Sequence, residues 1–140
     1  TTDIMRIRLA AGHPYEVRSV VIIRRLREFL LGKDAFVENS LLALGCEIEG
    51  RVENSVLGSN VIVEKGATVK DSVVLANSKI KAGATVSYSI IDENVTVGKN
   101  VVVGVEKSAD AEIVVLGRGI TVGDGLKVLS GQKNEKDITE

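Results

Sequence analysis

Tryptophan is absent from this 140-residue sequence, proline and histidine occur once each, and aromatic residues make up only 3% of it. A globular core normally draws on large rings, so a chain that is 44% hydrophobic with so few of them points to a narrow interior of branched aliphatics. One cysteine, Cys46, excludes an internal disulfide. One histidine, His13, excludes a zinc site built on three imidazoles. Neither sign of charge dominates: 18 Lys and Arg against 19 Asp and Glu leave a net charge of −1, which implies no sequence-wide attraction to nucleic acid or to an anionic membrane. Long apolar runs are missing too. Outside the repeat described next, the longest is Val20–Ile23, far short of a membrane span, and no secretory signal pattern is present, so a cytoplasmic protein is expected.

What the sequence does contain is a phrase that recurs: Val37-Glu-Asn-Ser-Leu-Leu, Val52-Glu-Asn-Ser-Val-Leu, Val69-Lys-Asp-Ser-Val-Val and Val86-Ser-Tyr-Ser-Ile-Ile. The valines are 15, 17 and 17 residues apart, and Val103 follows after 17 more. Each 17-residue unit divides into pieces of five, six and six residues, each opened by a branched aliphatic, as in Val69, Val74 and Ile80 or Val86, Ile91 and Val97. A step near six is too long for a helical turn and too regular for hairpins; it is the mark of the hexapeptide β-helix.

A coil of this kind needs a residue with positive φ at each corner, a conformation that only Gly, and less readily Asn, adopts without strain. Three positions past each aliphatic of the six-residue pieces stand Gly45, Asn60, Gly66, Asn77, Gly83, Asn94 and Asn100. Gly and Asn together supply 21 of the 140 residues, so this placement is pattern and not composition. The same ruler takes Leu116 to Gly119, Val122 to Gly125 and Val128 to Gly131, so a fifth coil resumes after a polar, off-phase segment at about 104–112 that reads as a projecting loop. The opening aliphatics point inward, and a second inward column is formed by Cys46, Val61, Ser78 and Val95 with Ala67, Ala84 and Val101. The fold class is therefore all-β, a parallel β-helix of about five coils over 36–130.

Residues 1–35 depart from the ruler and are expected to form a short, partly helical N-terminal cap. Thr2 or Asp3 can cap a helix over Ile4–Ala11, although Ile7-Arg8-Leu9 alternates like a strand. Ile22, Ile23, Leu26, Phe29 and Leu30 share one helical face, with Gly32 as a stop, while the β-branched run Val20–Ile23 also allows a strand followed by a helix. This segment carries net charge +3 against −4 for residues 36–140, so the two parts attract if the first covers the open end of the coil. Residues 131–140 lose the apolar period and are expected to leave the coil as a poorly ordered tail. The chain opens at Thr1 without Met, as a piece of something longer would.

Few residues carry catalytic promise. Cys46 falls on the inward column and reads as a small core residue. The column Ser40, Ser55, Ser72 and Ser89 sits at the shortened corner, where hydroxyls stabilise turns. Gly117, Gly119, Gly123 and Gly125 lie on or beside the corner ruler and lack the strand–loop–helix context of a phosphate loop. A stand-alone hexapeptide acyltransferase, trimeric with sites between coils, is the alternative reading, but such enzymes use a histidine base on the repeat and His13 lies outside it. Arginines remain as ligand candidates: Arg118 beside two glycines on the last coil, and Arg18, Arg24, Arg25 and Arg27 in the basic N-terminal segment, all suited to forked binding of phosphate.

Asn39-Ser-Leu-Leu-Ala-Leu-Gly-Cys-Glu-Ile-Glu-Gly50, Gly66-Ala-Thr-Val-Lys-Asp-Ser-Val-Val74, Ile90-Ile-Asp-Glu-Asn-Val-Thr-Val-Gly98 and Ile113-Val-Val-Leu-Gly-Arg-Gly-Ile-Thr-Val-Gly-Asp-Gly125 resemble the C-terminal left-handed β-helix of bacterial glucose-1-phosphate adenylyltransferase, also called ADP-glucose pyrophosphorylase. Left-handedness is implied by this resemblance alone. It also implies a parent enzyme that condenses ATP with glucose 1-phosphate to ADP-glucose and pyrophosphate, using Mg²⁺, in glycogen or starch biosynthesis. The nucleotidyltransferase domain that does this chemistry carries a Gly-Gly-x-Gly-Thr-Arg-Leu loop; here no two glycines are adjacent, so the chain alone is expected to be non-catalytic and to hold no cofactor. In that family the β-helix packs on the catalytic domain, builds the oligomer and helps bind sugar-phosphate or nucleotide effectors. Arg118 matches a basic residue used for effector phosphate in some members, Arg18 lies in a segment resembling the lead into the β-helix, and Glu93 stands where some members carry a second arginine.

Overall fold

A branched aliphatic every five or six residues, separated by residues that tolerate a left-handed backbone, dictates short strands joined by sharp bends. The structure, a computed structural model, describes residues 2–4, 16–23, 30–32 and 34–140, with side chains over 31–32 and 34–140. Most of its strands are two or three residues long, and no helix occurs among the described residues. They wind into a parallel β-solenoid of about six turns, consistent with a left-handed β-helix.

Three inward columns run up the coil. On the first side Val37, Val52, Val69, Val86, Val103 and Val128 are register partners in succession. On the second the series is Leu42, Leu57, Val74, Ile91, Leu116 and Asn134. On the third it is Leu31, Ile48, Val63, Ile80, Val97 and Val122, closed by a bridge to Ile138. Every aliphatic in these columns is buried apart from the partly buried Ile138, and Cys46, Val61, Val95, Ala67, Ala84 and Val101 fill the space between columns. Backbone amides bond the next turn at a fixed offset, for example Gly58 N–H to Val74 O at 2.7 Å and Thr68 N–H to Ala84 O at 2.8 Å.

The ten corners expected from the six-residue ruler all have positive φ, from Asn100 at 56° to Gly45 at 81°. Five more of the described residues do as well: Asn39, Asn54, Asp71 and Tyr88 at the shortened corner, and Gly104 at the start of the loop. The strand Phe36–Leu42 runs through one of these short corners and so ties the first side of the coil to the second in one sheet. Gly104 is required for its own reason: a Cβ there would collide with the carbonyl oxygen of Ser87. The loop then runs fully exposed over 105–110, held by Glu106 against Lys70 at 3.4 Å and by Lys107 over the Tyr88 ring at 5.9 Å.

Both ends differ from expectation. Glu16–Ile23, where the sequence allowed a helix from Ser19 or a strand over Val20–Ile23, is a strand paired in parallel with Phe36–Leu42, and Thr2–Ile4 pairs antiparallel with it. Leu30–Leu31, the end of the same expected helix, is a strand on the third side. The parallel edge of the first coil offers a row of unpaired amides and carbonyls, and the β-branched run Val20–Ile23 suits that ladder better than a helix. The remainder of the two expected helices, 5–11 and 24–29, lies outside the described residues. At the other end the chain does not leave the coil after Gly131. Lys133–Asn134 pairs with Val115–Leu116, the Ile138 N–H bonds Thr121 O at 2.9 Å, and Asp137 Oδ1 accepts from the Thr121 N–H at 2.8 Å. The aliphatic step is weakened there, because Asn134 takes the aliphatic place on the second side while Ile138 keeps it on the third.

Tyr88, at φ 46°, is the one bulky side chain in a left-handed corner, where its equivalents are Asn or Asp. Tyr88→Asn is expected to raise stability by about 1 kcal/mol and the thermal midpoint by roughly 3 °C. A lowered midpoint in a thermal melt would mean that the ring's contact with Lys107 outweighs the backbone strain.

Candidate functional site

Inward positions are occupied by buried side chains of the core, so a site is sought among outward side chains, corners and the loop. The serine column is the first test. Ser40, Ser55, Ser72 and Ser89 are buried, and each hydroxyl donates to the carbonyl two residues earlier: Glu38, Glu53, Lys70 and Ser87, at 2.7–2.9 Å. The same oxygens accept from the next serine's amide, with Ser55, Ser72 and Ser89 N–H each 3.1 Å away. The result is a continuous chain of corner bonds and leaves no hydroxyl free to attack a substrate. Ser78 plays the same part in another column, donating to Asp92 O at 2.7 Å and accepting from Val95 N–H at 3.1 Å. Cys46 is fully buried with its thiol 3.2 Å from Gly58 O, and burial pushes its pKa up to about 11. A thiol held protonated inside the coil is a packing group.

Arg118 stands on the second side of the coil at the fifth turn, between Gly117 and the corner residue Gly119. Its Nη2 lies 3.2 Å from Glu93 Oε1 on the turn below, and the two side chains are 70% and 40% exposed. A pair so exposed contributes ~0–1 kcal/mol and is readily exchanged for another anion. Next to it opens a depression of about 610 Å³ lined by Asp92, Val115, Gly117, Lys133, Asn134, Glu135 and Lys136. Lys133 and Lys136 come from the last turn, and sequence reasoning did not bring them to this surface. The signal was there, since Asn134 lies six residues past Val128 and so keeps the coil's step. Asn134 occupies an aliphatic position, and its buried Oδ1 has no hydrogen-bond partner among the described residues.

Arg18 is placed elsewhere. Its backbone pairs with Glu38 on the strand beyond the first coil, about five rungs from Arg118, or ~24 Å at the usual strand spacing. The structure does not bring the two arginines into one site. Arg24, Arg25, Arg27 and His13 lie outside the described residues. Among the described residues no group of three His, Cys, Asp or Glu side chains is arranged to hold a metal ion.

Comparison with known proteins follows the coil. The profile of the GlmU-like C-terminal hexapeptide family matches residues 29–135. The chain belongs to this family. Among curated relatives, a glucose-1-phosphate adenylyltransferase of Corynebacterium jeikeium is 37% identical over 98 residues, covering 69% of this chain and 24% of the relative. One of Acetivibrio thermocellus is 36% identical over 107 residues, covering 70% and 25%. The glycogen biosynthesis protein GlgD of Bacillus subtilis is 49% identical over 94 residues, covering 66% and 26%. The chain thus spans about a quarter of the length of the curated relatives it matches. The hexapeptide-family match begins at residue 29, beside the strand Leu30–Leu31, and ends at residue 135, beside Lys133–Asn134. Those limits coincide with the outermost rungs of the third and second sides and include the turn that sequence reading had left outside the coil.

Two measurements check these assignments. Ser72→Ala removes a bond to Lys70 O and leaves the buried Ser89 N–H without its acceptor, so a loss of ~1–3 kcal/mol is expected in urea unfolding. A loss within error of zero would remove the hydroxyl chain from the forces that hold the coil. For Cys46, burial lifts the thiol in the folded chain above its ordinary value of 9.0, so the protonated thiol favours the fold. That contribution is complete below about pH 9 and is lost as pH rises through about 11. The stability of the wild type should therefore fall across this window more steeply than that of Cys46→Val, and parallel curves would contradict the assignment.

Proposed function

We propose that this chain is the regulatory and assembly domain of a glucose-1-phosphate adenylyltransferase, or of its non-catalytic companion of the GlgD kind. It does no chemistry by itself. The observation that carries the reading is the relatives' identity over a coil interrupted once, by the exposed loop after Val103, before its closing turns. The reaction of the parent joins ATP and glucose 1-phosphate into ADP-glucose and pyrophosphate, and its Mg²⁺ belongs with the nucleotidyltransferase domain beyond these residues. The part assigned to this chain is to pack on that domain, to bring copies together and to bind a sugar-phosphate or nucleotide effector.

Arg118 is the residue assigned to the effector phosphate. Its guanidinium is exposed, its neighbour Gly117 lines a depression that holds Lys133 and Lys136 beside Asp92 and Glu135, and its present partner Glu93 holds it only weakly. Glu93 then acts as an internal competitor for the anion. Arg18, five rungs away, serves a second contact or none at this site. The acyltransferase alternative gains no support, because the coil carries no histidine.

The test is made in the full-length enzyme with fructose 1,6-bisphosphate, AMP and pyruvate as effectors. Arg118→Ala should lower effector affinity about tenfold, the equivalent of one charge-assisted bond, with unactivated turnover near normal. Glu93→Gln should raise it severalfold by removing the competing carboxylate. Equal activation of both variants and the wild type would discard the effector site, and acyl transfer from acetyl-CoA would discard the enzyme class.

A further inference from the structure

Below the last rung, strands pair with strands on all three sides of the coil. The last rung is different. On the first side no strand follows Lys127–Val128 among the described residues, on the second Lys133–Asn134 lies over Val115–Leu116, and on the third Ile138 makes a single bridge to Val122. Its aliphatic places are poorly filled. Asn134 stands above Leu116 with its Oδ1 buried and without a hydrogen-bond partner, and Ile138 is only partly buried. Lys133, Glu135, Lys136 and Asp137 are exposed, and the Asp137 carboxylate that takes the Thr121 N–H is open to competition from water. The corner before this stretch is held more firmly. Gly131 N–H bonds Glu112 O at 3.1 Å, and Ser130 Oγ accepts from Glu112 N–H at 2.9 Å, so the chain is pinned to the end of the loop.

We propose that residues 132–140 form a lid that opens from the fifth turn and closes on it while the coil below stays folded, with the pinned corner at 129–131 as the hinge. Closed, the lid buries an amide oxygen that nothing bonds; open, that oxygen is hydrated. Among the described residues this penalty falls on no other buried side-chain nitrogen or oxygen, so the closed state is weakest where the lid meets Leu116. The lid also builds the depression beside Gly117. Lys133, Asn134, Glu135 and Lys136 supply its lining together with Asp92, Val115 and Gly117, so opening takes both lysines from that surface and bares Leu116 and Val122. The motion thereby sets the fraction of time for which the surface exists, whatever it binds.

Hydrogen exchange on the full chain, resolved by residue and corrected for intrinsic rates, tests the lid. The amides of Gly117 and Gly123 donate into it, to Asn134 O and Ile138 O, whereas those of Asp92, Thr96 and Gly98 donate to Leu116, Ile120 and Val122 one turn lower. Gly117 and Gly123 should exchange at least about tenfold faster than the lower amides. Ser72→Ala weakens the lower coil whether the lid is open or closed, so it should speed Asp92, Thr96 and Gly98 about tenfold or more and leave Gly117 and Gly123 unmoved. Asn134→Leu fills the aliphatic place and removes the unbonded oxygen, and should slow Gly117 and Gly123 about tenfold; Asp137→Ala should speed them severalfold. Gly117 and Gly123 exchanging at the rate of the lower amides, accelerating with them in Ser72→Ala, or answering to neither lid variant would each overturn the proposal.

Discussion

Every turn of this coil must place the same atoms above those of the turn before, because its backbone bonds run only between neighbouring turns. That vertical repetition is the constraint on which the rest depends. One rung displaced by a residue would turn an inward valine outward and unpair two rows of amides at once. The corners enforce it. Asn60, Gly66, Asn77 and Gly83 take the left-handed backbone that reverses the chain at each six-residue corner. At the shortened corner the buried hydroxyls of Ser40, Ser55, Ser72 and Ser89 supply bonds both within their own turn and to the next. These hydroxyls thereby lie inside a narrow hydrophobic tube with their hydrogen bonds made, the condition for burying them at all.

Repetition also limits where function can reside. The interior is filled by buried valine, leucine and isoleucine, and its buried thiol and hydroxyls are held by backbone carbonyls. What differs from turn to turn lies outside: the loop over 105–110, the Arg118–Glu93 pair and the lysines of the last turn. A scaffold of this kind suits contact and regulation better than bond-making, since its variable groups sit on flat, wet surfaces and not in an enclosed, desolvated pocket.

Legibility in the sequence follows the same division. The corners at Gly45 through Asn100 could be located before any coordinates because a positive φ restricts the choice of residue to very few types. The corners at Asp71 and Tyr88 were less legible, since the shortened piece shifts the left-handed residue one place and admits side chains outside the Gly and Asn set. The two ends escaped the pattern for another reason. Glu16–Ile23 and Lys133–Asn134 are held by ladder bonds to a single neighbouring turn, and a backbone bond leaves no trace in residue type.

From sequence alone came the coil, its step, its inward columns and the identity of most of its corners, all of which rest on local rules of volume and backbone sterics. Only the tertiary structure decided that Arg118 faces Glu93, that Arg18 lies at the opposite end and that the last ten residues stay in the coil. These facts depend on which residues meet across 15 to 25 positions of chain. Such meetings are set by the cumulative register of the turns between them, including the inserted loop, and no single stretch of sequence contains that sum.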